Sequence, residues 1–292
     1  MAGSASEQPG VRSVTATSDP PAVGIANPIH AADGAKRAGY AGALVSGVRT
    51  YGWVAEAIVE VLGPRWLEDG WADVSLRRPV FAGDIVTIAV GPAGAVGDSV
   101  DGGAVAVRAT VADGDVLDGS AGLGTAPWAS AIDPPPSTPA ERPPAFRPTY
   151  TVDDAPIGRP LRPLGVYVSA DAARRISLDD LGQSRSHVPG DRLHPWFLAA
   201  RMAPLTRHNF TYGPTIHVRT QIQHVGPASV DQEVVIGARI VEVHERNGHW
   251  YQVLDGLIVG DAGAPGGPQL ARVRHHSIFR PRGTTMPSEP PG

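Results

Sequence analysis

The side chains best suited to chemistry lie near the N-terminus, in the segment Asn27-Pro28-Ile29-His30. His30 has an imidazole, the side chain that most often acts as a general base or a proton shuttle. Asn27 can orient that imidazole or hold a water molecule, although Asn-Pro is also a common way to begin a turn. The segment predicts acid–base chemistry centred on one histidine.

Gly47 follows 17 residues after His30 and directly precedes a helical pattern. A free backbone N–H at a helix start carries a partial positive charge and can stabilise an oxygen that becomes negative during a reaction. Glycine lets a ligand approach closely at such a place, but it is also a common residue for purely structural helix entry. Gly47 is therefore a candidate oxyanion donor, with the structural role as its alternative.

Other active-site types have little support in the sequence. Its zero cysteines exclude a thiol nucleophile and any cysteine-based metal site. It contains no glycine-rich dinucleotide motif with a suitable acid, no phosphate loop and no Gly-x-Ser-x-Gly elbow. The histidines of the second half show no ligand spacing on a predicted helix, and His275 and His276 would point to opposite faces of a strand. We therefore predict no metal site, and keep His194 as a residue that could line a second or shared pocket.

Composition indicates a chain without nucleic-acid or membrane partners. The formal net charge is −4, from 25 Lys and Arg against 29 Asp and Glu, without a block of like charge. No apolar run approaches the roughly 20 residues that cross a bilayer, and the first residues lack the apolar core of a signal peptide. Together with the missing cysteines, these features predict a cytoplasmic protein.

The chain divides into two halves that position these residues. A proline-rich stretch, 133–148, excludes helix interiors and central strands, so it is predicted to be an extended linker between domains at 12–132 and 149–283. The end, 284–292, is predicted to be a disordered tail. A spaced motif, Val-x-Gly-x-Arg-x-x-x-Trp, begins at Val45 and recurs at Val188, an offset of 143 residues, which indicates an internal repeat. Its arginines, Arg49 and Arg192, are interpreted as helix-terminus or interface residues.

Each half shows one helix followed by strands. Apolar residues at helical spacing run from Val54 to Leu62, and the second half has an apolar run from Phe197 to Leu205; the helices should end at Gly63-Pro64 and around His208. Strands are predicted at 73–80, 85–90, 105–112, 215–225, 234–243, 250–259 and 270–279. Within 216–223 even positions are mostly apolar and odd positions polar, as in a half-buried antiparallel strand. The predicted class is α+β, with a curled antiparallel sheet around a central helix in each half.

This layout, with Asn27 to His30 before the helix, Gly47 at its start and Arg78-Pro79-Val80 and Gly83-Asp84 after it, resembles the MaoC-like acyl dehydratases, or (R)-specific enoyl-CoA hydratases, of the hotdog superfamily. The resemblance implies a fused double hotdog, an intramolecular pseudo-dimer with an acyl pocket between its halves, and the option of a further homodimer. It also implies an acyl-CoA or acyl-carrier thioester as substrate, coenzyme A entering only as part of that substrate and no other cofactor. Catalytic roles fall to His30 as base, Asn27 as its orienter and Gly47 as oxyanion donor.

The sequence departs from the family motif at one position. Where the family has Gly-Asp-x-Asn-Pro-aliphatic-His, this chain has Ile25 in place of the catalytic aspartate, so its side chain can only extend an apolar wall. Asp33 and Asp19 are the nearby carboxylates, although neither occupies the family position. The other candidates for substrate binding are Tyr40, His194, and Arg77 and Arg78, whose guanidinium groups suit the phosphates of coenzyme A.

The leading hypothesis is an acyl-thioester lyase: hydration of an enoyl-CoA, or dehydration of a 3-hydroxyacyl thioester, in fatty acid metabolism. One alternative is a non-catalytic double hotdog that binds acyl-CoA or a lipid-like ligand without turnover. Another is a hotdog thioesterase, which would activate water with a carboxylate on the central helix, where Glu56 and Glu60 lie.

Overall fold

The computed structural model describes residues 10–19, 27–92, 103–211, 213–260 and 267–284. Its helices are α1 Ala32–Arg37, α2 Gly47–Leu62, α3 Trp66–Asp69, α4 Ala170–Ser177, α5 Pro195–Ala199 and α6 Met202–Asn209, with short 3-10 helices at Pro28–His30 and Ala129–Ala131. Strands of the first half are β1 Val11–Thr15, β2 Leu44–Val45, β3 Gly70–Leu76, β4 Val80–Phe81, β5 Ile85–Gly91, β6 Val105–Val111 and β7 Gly114–Leu123. Those of the second half are β8 Leu164–Val168, β9 Ile216–His224, β10 Gln232–Arg246, β11 His249–Val259 and β12 Gln269–Arg280.

One antiparallel sheet runs through both halves. Its ten strands follow the order β1-β5-β6-β7-β3-β9-β12-β11-β10-β8, and the two short strands β2 and β4 pair separately. The halves meet where β3 pairs with β9, with Asp73 opposite Gln221. Helices α2, α5 and α6 pack against the sheet. The predicted α+β class is confirmed, and the sheet junction brings residues of both halves to one place.

Helix α2 is the central helix of the first half. It extends the predicted segment back to Gly47 and ends at Gly63, whose φ of 79° suits a residue without a side chain. Trp53 and Ile58 are fully buried against the sheet. Burial of such a side chain stabilises the fold by about 1.5–3 kcal/mol, so packing of this apolar face fixes the position of the helix start.

The second central helix differs from the sequence prediction. The apolar run from Phe197 to Leu205 is divided into α5 and α6, with a break at Ala200 and Arg201. Pro204 has no N–H to donate to the carbonyl of Ala200, and Arg201 N bonds the carbonyl of Leu198 in a tighter turn. The break places Arg201 between two short helices.

The repeat register is also corrected by the structure. Gly47 is the first residue of α2, whereas Gly190 lies in a loop five residues before Pro195 begins α5. Arg49 is buried and donates to the carbonyl oxygens of Thr17 (2.7 Å) and Ser18 (2.8 Å). Arg192 instead forms surface ion pairs with Asp191 and Glu68. The N-cap residues of α2 and α5 are Ser46 and His194. These two residues are not related by the offset of the repeat, so the four matching residues of the motif do not occupy equivalent structural positions.

Some strands of the structure differ from the sequence prediction. Strands β1, β2, β7 and β8 were not predicted, and β1 and β8 form the two edges of the ten-stranded sheet. The predicted strand 73–80 is interrupted after Leu76 because Pro79 cannot donate to a strand partner. The predicted tail, apart from Thr284, lies outside the described residues.

The linker 133–148 contains no helix or strand, and its beginning crosses the polar face of the sheet. Ala126 N donates to Gln223 Oε1 (2.7 Å), and Asp133 N donates to Asp255 Oδ2 (2.8 Å). Arg239 donates to the carbonyl oxygen of Pro134 (3.2 Å). The polar side chains on this face therefore bind the connecting chain, which buries Gln223 and Asp255.

Candidate active site

A cavity of about 1620 Å³ is lined by both halves of the chain. In the first half, its wall is formed by the 3-10 helix at Pro28–His30, by β2, α2, β3 and β4, and by the loops between them; in the second half, it is formed by strands β8 to β12 and helices α4 to α6. The predicted site residues Asn27, His30, Tyr40, Gly47, Arg77 and Arg78 all line it, together with Asp19. Asp33 lies on the exposed face of α1, and Ile25 lies outside the described residues.

His30 ends the short 3-10 helix that Pro28 begins. Its Nδ1 lies 2.8 Å from the carbonyl oxygen of Leu44 and 3.3 Å from Asp19 Oδ2. Both neighbours are acceptors, so Nδ1 carries the proton in the neutral imidazole and Nε2 holds the lone pair. The ring is thereby set up to accept a proton at Nε2.

Asp19 is the carboxylate that the fold brings to His30. Its two oxygens accept the backbone N–H of Ser46, at 3.2 and 3.0 Å, directly before α2. Arg49 lies 3.7 Å away and also holds Thr17 and Ser18, which fixes the chain leading to Asp19. Of the two carboxylates near the motif in sequence, Asp19 can stabilise a protonated His30 and the exposed Asp33 cannot.

Asn27 connects the motif to the second half. Its Nδ2 donates to the carbonyl oxygen of Thr215 (2.8 Å) and lies 3.3 Å from His30 Nε2, and its Oδ1 accepts Thr215 N (3.3 Å). These contacts orient the amide with its N–H groups toward the carbonyl and the imidazole. Asn27 thus holds His30 in place relative to β9.

Gly47 combines a packing requirement with an open amide. A Cβ at this position would lie 2.6 Å from Leu76 Cδ2 and 3.3 Å from His217 Cβ, so a larger residue would force the helix start away from the sheet. In the described part of the chain, the N–H groups of Gly47 and Val48 have no acceptor. Both belong to the first turn, where helix geometry supplies none. They form the donors that an anionic oxygen in the cavity would meet.

His217 reaches the cavity through a bulge in β9. Arg219 pairs with His276 and His217 with Ser277, so Val218 is an extra residue. The bulge turns His217 to the face of Thr220, with Nε2 2.5 Å from its Oγ1. Sequence alternation had placed His217 on the opposite, polar face, and no sequence signal marks a bulge here.

The second half adds four histidines that the sequence did not assign to the site, His217, His244, His275 and His276. His217 stacks on His275 with 4.5 Å between ring centroids, and both line the cavity. Desolvation lowers the pKa of His217 to about 4, so the imidazole is neutral at pH 7. A neutral ring beside Gly47 leaves the positive end of α2 free of a competing cation.

The cavity wall is strongly cationic although the chain as a whole carries a net charge of −4. Seven arginines and two aspartates line it. At the rim, Arg77 forms two 2.8 Å bonds with Asp118, and Arg78 donates to the carbonyl oxygen of Asp113 (2.6 Å). Both arginines are exposed, as expected of groups that meet an anionic ligand at an entrance.

Glu56 and Glu60 do not reach the described cavity wall. Glu56 is fully buried and accepts hydrogen bonds from Ser186 Oγ, His187 N (2.6 Å) and His194 Nε2 (3.1 Å). Desolvation raises its pKa, but these donors outweigh that effect and lower the pKa to about 2. Glu60 lies one turn further on and pairs with Arg12 at 3.4 Å.

His194, a predicted pocket residue, lies outside the described cavity wall as well. It is fully buried, and its Nδ1 accepts Trp196 N (3.2 Å) while Nε2 faces Glu56. Burial lowers its pKa. Because Nδ1 accepts the Trp196 N–H group, Nε2 carries the proton that is donated to the carboxylate. With both nitrogens engaged, His194 caps α5 and joins the two halves.

Similarity to solved structures identifies the architecture. A structure described as a MaoC domain protein dehydratase from Chloroflexus aurantiacus has a TM-score of 0.59 at 13% identity, over 88% of this chain and 87% of that one. A MaoC-like dehydratase gives 0.56 at 15%, over 94% and 99%. A double hotdog protein from Mycobacterium tuberculosis gives 0.51 at 14%, over 82% and 83%. The chain has a double hotdog fold.

The structural similarity confirms the MaoC-like hotdog fold that the motif predicted. Neither the family models nor the curated proteins contain a match to this sequence. No helix in the described part of this double hotdog protein is long and apolar enough to span a bilayer.

Proposed function

We propose that this double hotdog protein adds water to trans-2-enoyl thioesters, or removes it from 3-hydroxyacyl thioesters. The observation that carries the proposal is the position of His30 in the cavity wall, held at Nδ1 by the Leu44 carbonyl and Asp19, in the same cavity as Gly47 at the start of α2. A base and an oxyanion donor in one cavity are the two groups that this reaction requires. Coenzyme A or an acyl carrier belongs to the substrate, and no other cofactor enters.

In the hydration direction, the N–H groups of Gly47 and Val48 bind the thioester carbonyl oxygen. His30 Nε2 exchanges its 3.3 Å contact with Asn27 Nδ2 for the substrate water. It takes a proton from that water while the water oxygen bonds to C3, and the electrons of the C2–C3 double bond move toward C2 and the carbonyl oxygen. The resulting enolate oxygen stays on the backbone amides. His30 then returns its proton to C2, which restores the neutral imidazole and balances the reaction.

Asp19 supplies part of the role that the family's catalytic aspartate has, since this chain has Ile25 at that position. In the structure it stands behind His30, where its negative charge favours the imidazolium formed in the first step. One imidazole then serves in turn as base and acid, and Asp19 serves as a positioning residue. Exposed Arg77 and Arg78 at the rim suit the phosphates of the carrier.

The test is a hydration assay with crotonyl-CoA and longer or branched enoyl-CoA thioesters. We expect turnover by the native chain, a loss of about 10²- to 10⁴-fold in His30→Ala, and a loss of about 10- to 100-fold in Asp19→Asn, the range of one charge-assisted hydrogen bond. Asp33→Asn is the matched control, because Asp33 is exposed and outside the cavity. Full activity in His30→Ala would remove the proposal.

The same assay separates the alternatives. The replacement of the motif aspartate by Ile25 favours a second candidate, a protein that binds acyl-CoA without turnover. A silent native chain that binds thioesters, with activity gained in Ile25→Asp, would support it. Release of free thiol from a saturated acyl-CoA would support a thioesterase, although neither Glu56 nor Glu60 lines the described cavity.

A further inference from the structure

Arg201 lies in the cavity wall at the break between α5 and α6. Its Nε donates to the carbonyl oxygen of Phe197 at 2.8 Å, and its guanidinium carbon lies 4.0 Å from the centroid of the Phe197 ring. The hydrogen bond and the cation–π contact hold the plane of the guanidinium group without using its terminal nitrogens. Arg201 is thus a fixed cation with its two terminal amino groups available.

No anion in the described part of the chain balances this cation. No carboxylate lies within 4.0 Å of Arg201, and its terminal nitrogens meet no protein acceptor within hydrogen-bonding distance there. Arg49, by contrast, uses both terminal nitrogens on Thr17 and Ser18. Desolvation lowers the pKa of Arg201 to about 10, which leaves it charged at neutral pH. A partly buried cation without a counterion is less stable than one in water, so binding of a ligand anion would be favourable here.

The surroundings of Arg201 suit the end of an acyl group. Within the same cavity, the second half contributes apolar side chains from β8, α5 and α6, among them Val166, Phe197 and Pro204. Arg175 and Arg207 add positive charge, and Asp180 is the one acidic side chain that the described second half contributes to the wall. Apolar walls with a fixed cation fit a short carbon chain that ends in a carboxylate.

The arginines that the two halves contribute to the cavity therefore differ in exposure and in their contacts. Arg77 and Arg78 belong to the first half and are exposed, each with a contact to the β6–β7 hairpin. Arg201 belongs to the second half, is partly buried and stacks on an aromatic ring. The exposed pair suits the phosphates of a carrier, which remain in water, whereas the stacked guanidinium suits a carboxylate that enters the cavity.

We propose that the cavity accepts acyl thioesters whose acyl chain ends in a carboxylate, and that Arg201 binds this carboxylate through its terminal nitrogens. The inference rests on the proposed function insofar as the thioester is placed at His30 and Gly47. It names the substrate class of that site: thioesters of dicarboxylic acids in preference to those of simple fatty acids of equal length.

Binding of unreactive saturated thioesters to the full chain tests this without requiring turnover. The matched pairs are pentanoyl-CoA with glutaryl-CoA and hexanoyl-CoA with adipoyl-CoA, with coenzyme A alone as a third ligand. We expect the native chain to bind at least one carboxylate-bearing thioester about 10- to 100-fold more tightly than its neutral partner, the range of one charge-assisted ion pair. Arg201→Met should abolish that preference and leave coenzyme A binding unchanged.

Arg77→Met is the matched control: it should weaken all the thioesters and coenzyme A alike while the preference remains. Equal binding of neutral and acidic thioesters by the native chain would overturn the inference, whether or not any variant folds. Weaker binding of coenzyme A itself in Arg201→Met would assign Arg201 to a carrier phosphate and also overturn it. A carboxylate preference in a chain that does not hydrate any enoyl-CoA would leave the inference standing and remove the lyase proposal.

Discussion

The buried cluster around Glu56 offers a prediction whose size follows from the structure. Glu56→Gln preserves the shape of the side chain but removes its charge and turns one acceptor into a donor. Ser186, His187 and His194 all donate to the native carboxylate, so the new amide N–H groups would face donors. The substitution thus leaves buried hydrogen-bonding groups unmatched.

The lowered pKa of Glu56 gives the magnitude. A change from the ordinary value of 4.5 to about 2 corresponds to about 3 kcal/mol, at 1.36 kcal/mol for each pKa unit. Loss of one partner from a buried charged cluster costs about 3–5 kcal/mol. We therefore expect Glu56→Gln to lower the free energy of unfolding at pH 7 by about 3 kcal/mol.

The assay is urea unfolding of the full chain, and Glu60→Gln on the same helix is the control. The Glu60 side chain is 27% exposed and makes one 3.4 Å ion pair with Arg12, so its loss should cost less than about 1 kcal/mol. Because folding lowers the pKa of Glu56, the contribution of its charge to the free energy of unfolding is fully present above pH 4.5 and is lost as the pH falls toward 2. The difference in unfolding free energy between the native chain and Glu56→Gln should decrease over that pH range. Equal costs for the two substitutions would refute the reasoning.

Two further predictions concern close packing and a buried histidine. Gly47→Ala should destabilise the fold by about 1–3 kcal/mol, because its Cβ would meet Leu76 Cδ2 at 2.6 Å, whereas Gly190→Ala has no atom within 4 Å and should leave the midpoint of thermal unfolding unchanged. Equal midpoints for the two variants would contradict this. Burial lowers the pKa of His224 to about 4. As the pH is lowered from 6.5 to 4, this residue should therefore reduce the free energy of unfolding by up to about 1.4 kcal/mol per pH unit. His224→Phe, still against Trp66, should reduce that slope in unfolding measurements; an unchanged slope would exclude His224 as its source.

The sequence alone determined the class of fold and predicted the candidate site residues of the first half. Periodicity marked α2 because its apolar residues recur at the helical spacing and are buried as a result. Asn27, His30 and Gly47 line one cavity because they are close in sequence and surround the start of a single helix. Local sequence patterns were sufficient for these predictions because the residues concerned lie close together in the sequence.

Tertiary structure decided the rest. The pairing of β3 with β9 brings residues of the second half to the His30 site, and one extra residue in β9 turns His217 inward. Asp19 reaches His30 because buried Arg49 and the Ser46 amide hold its segment. Strand register, bulges and side-chain capture depend on partners distant in sequence, and a shift of one residue exchanges the two faces of a strand. No local pattern encodes such choices, so only the folded chain shows which side chains share the cavity.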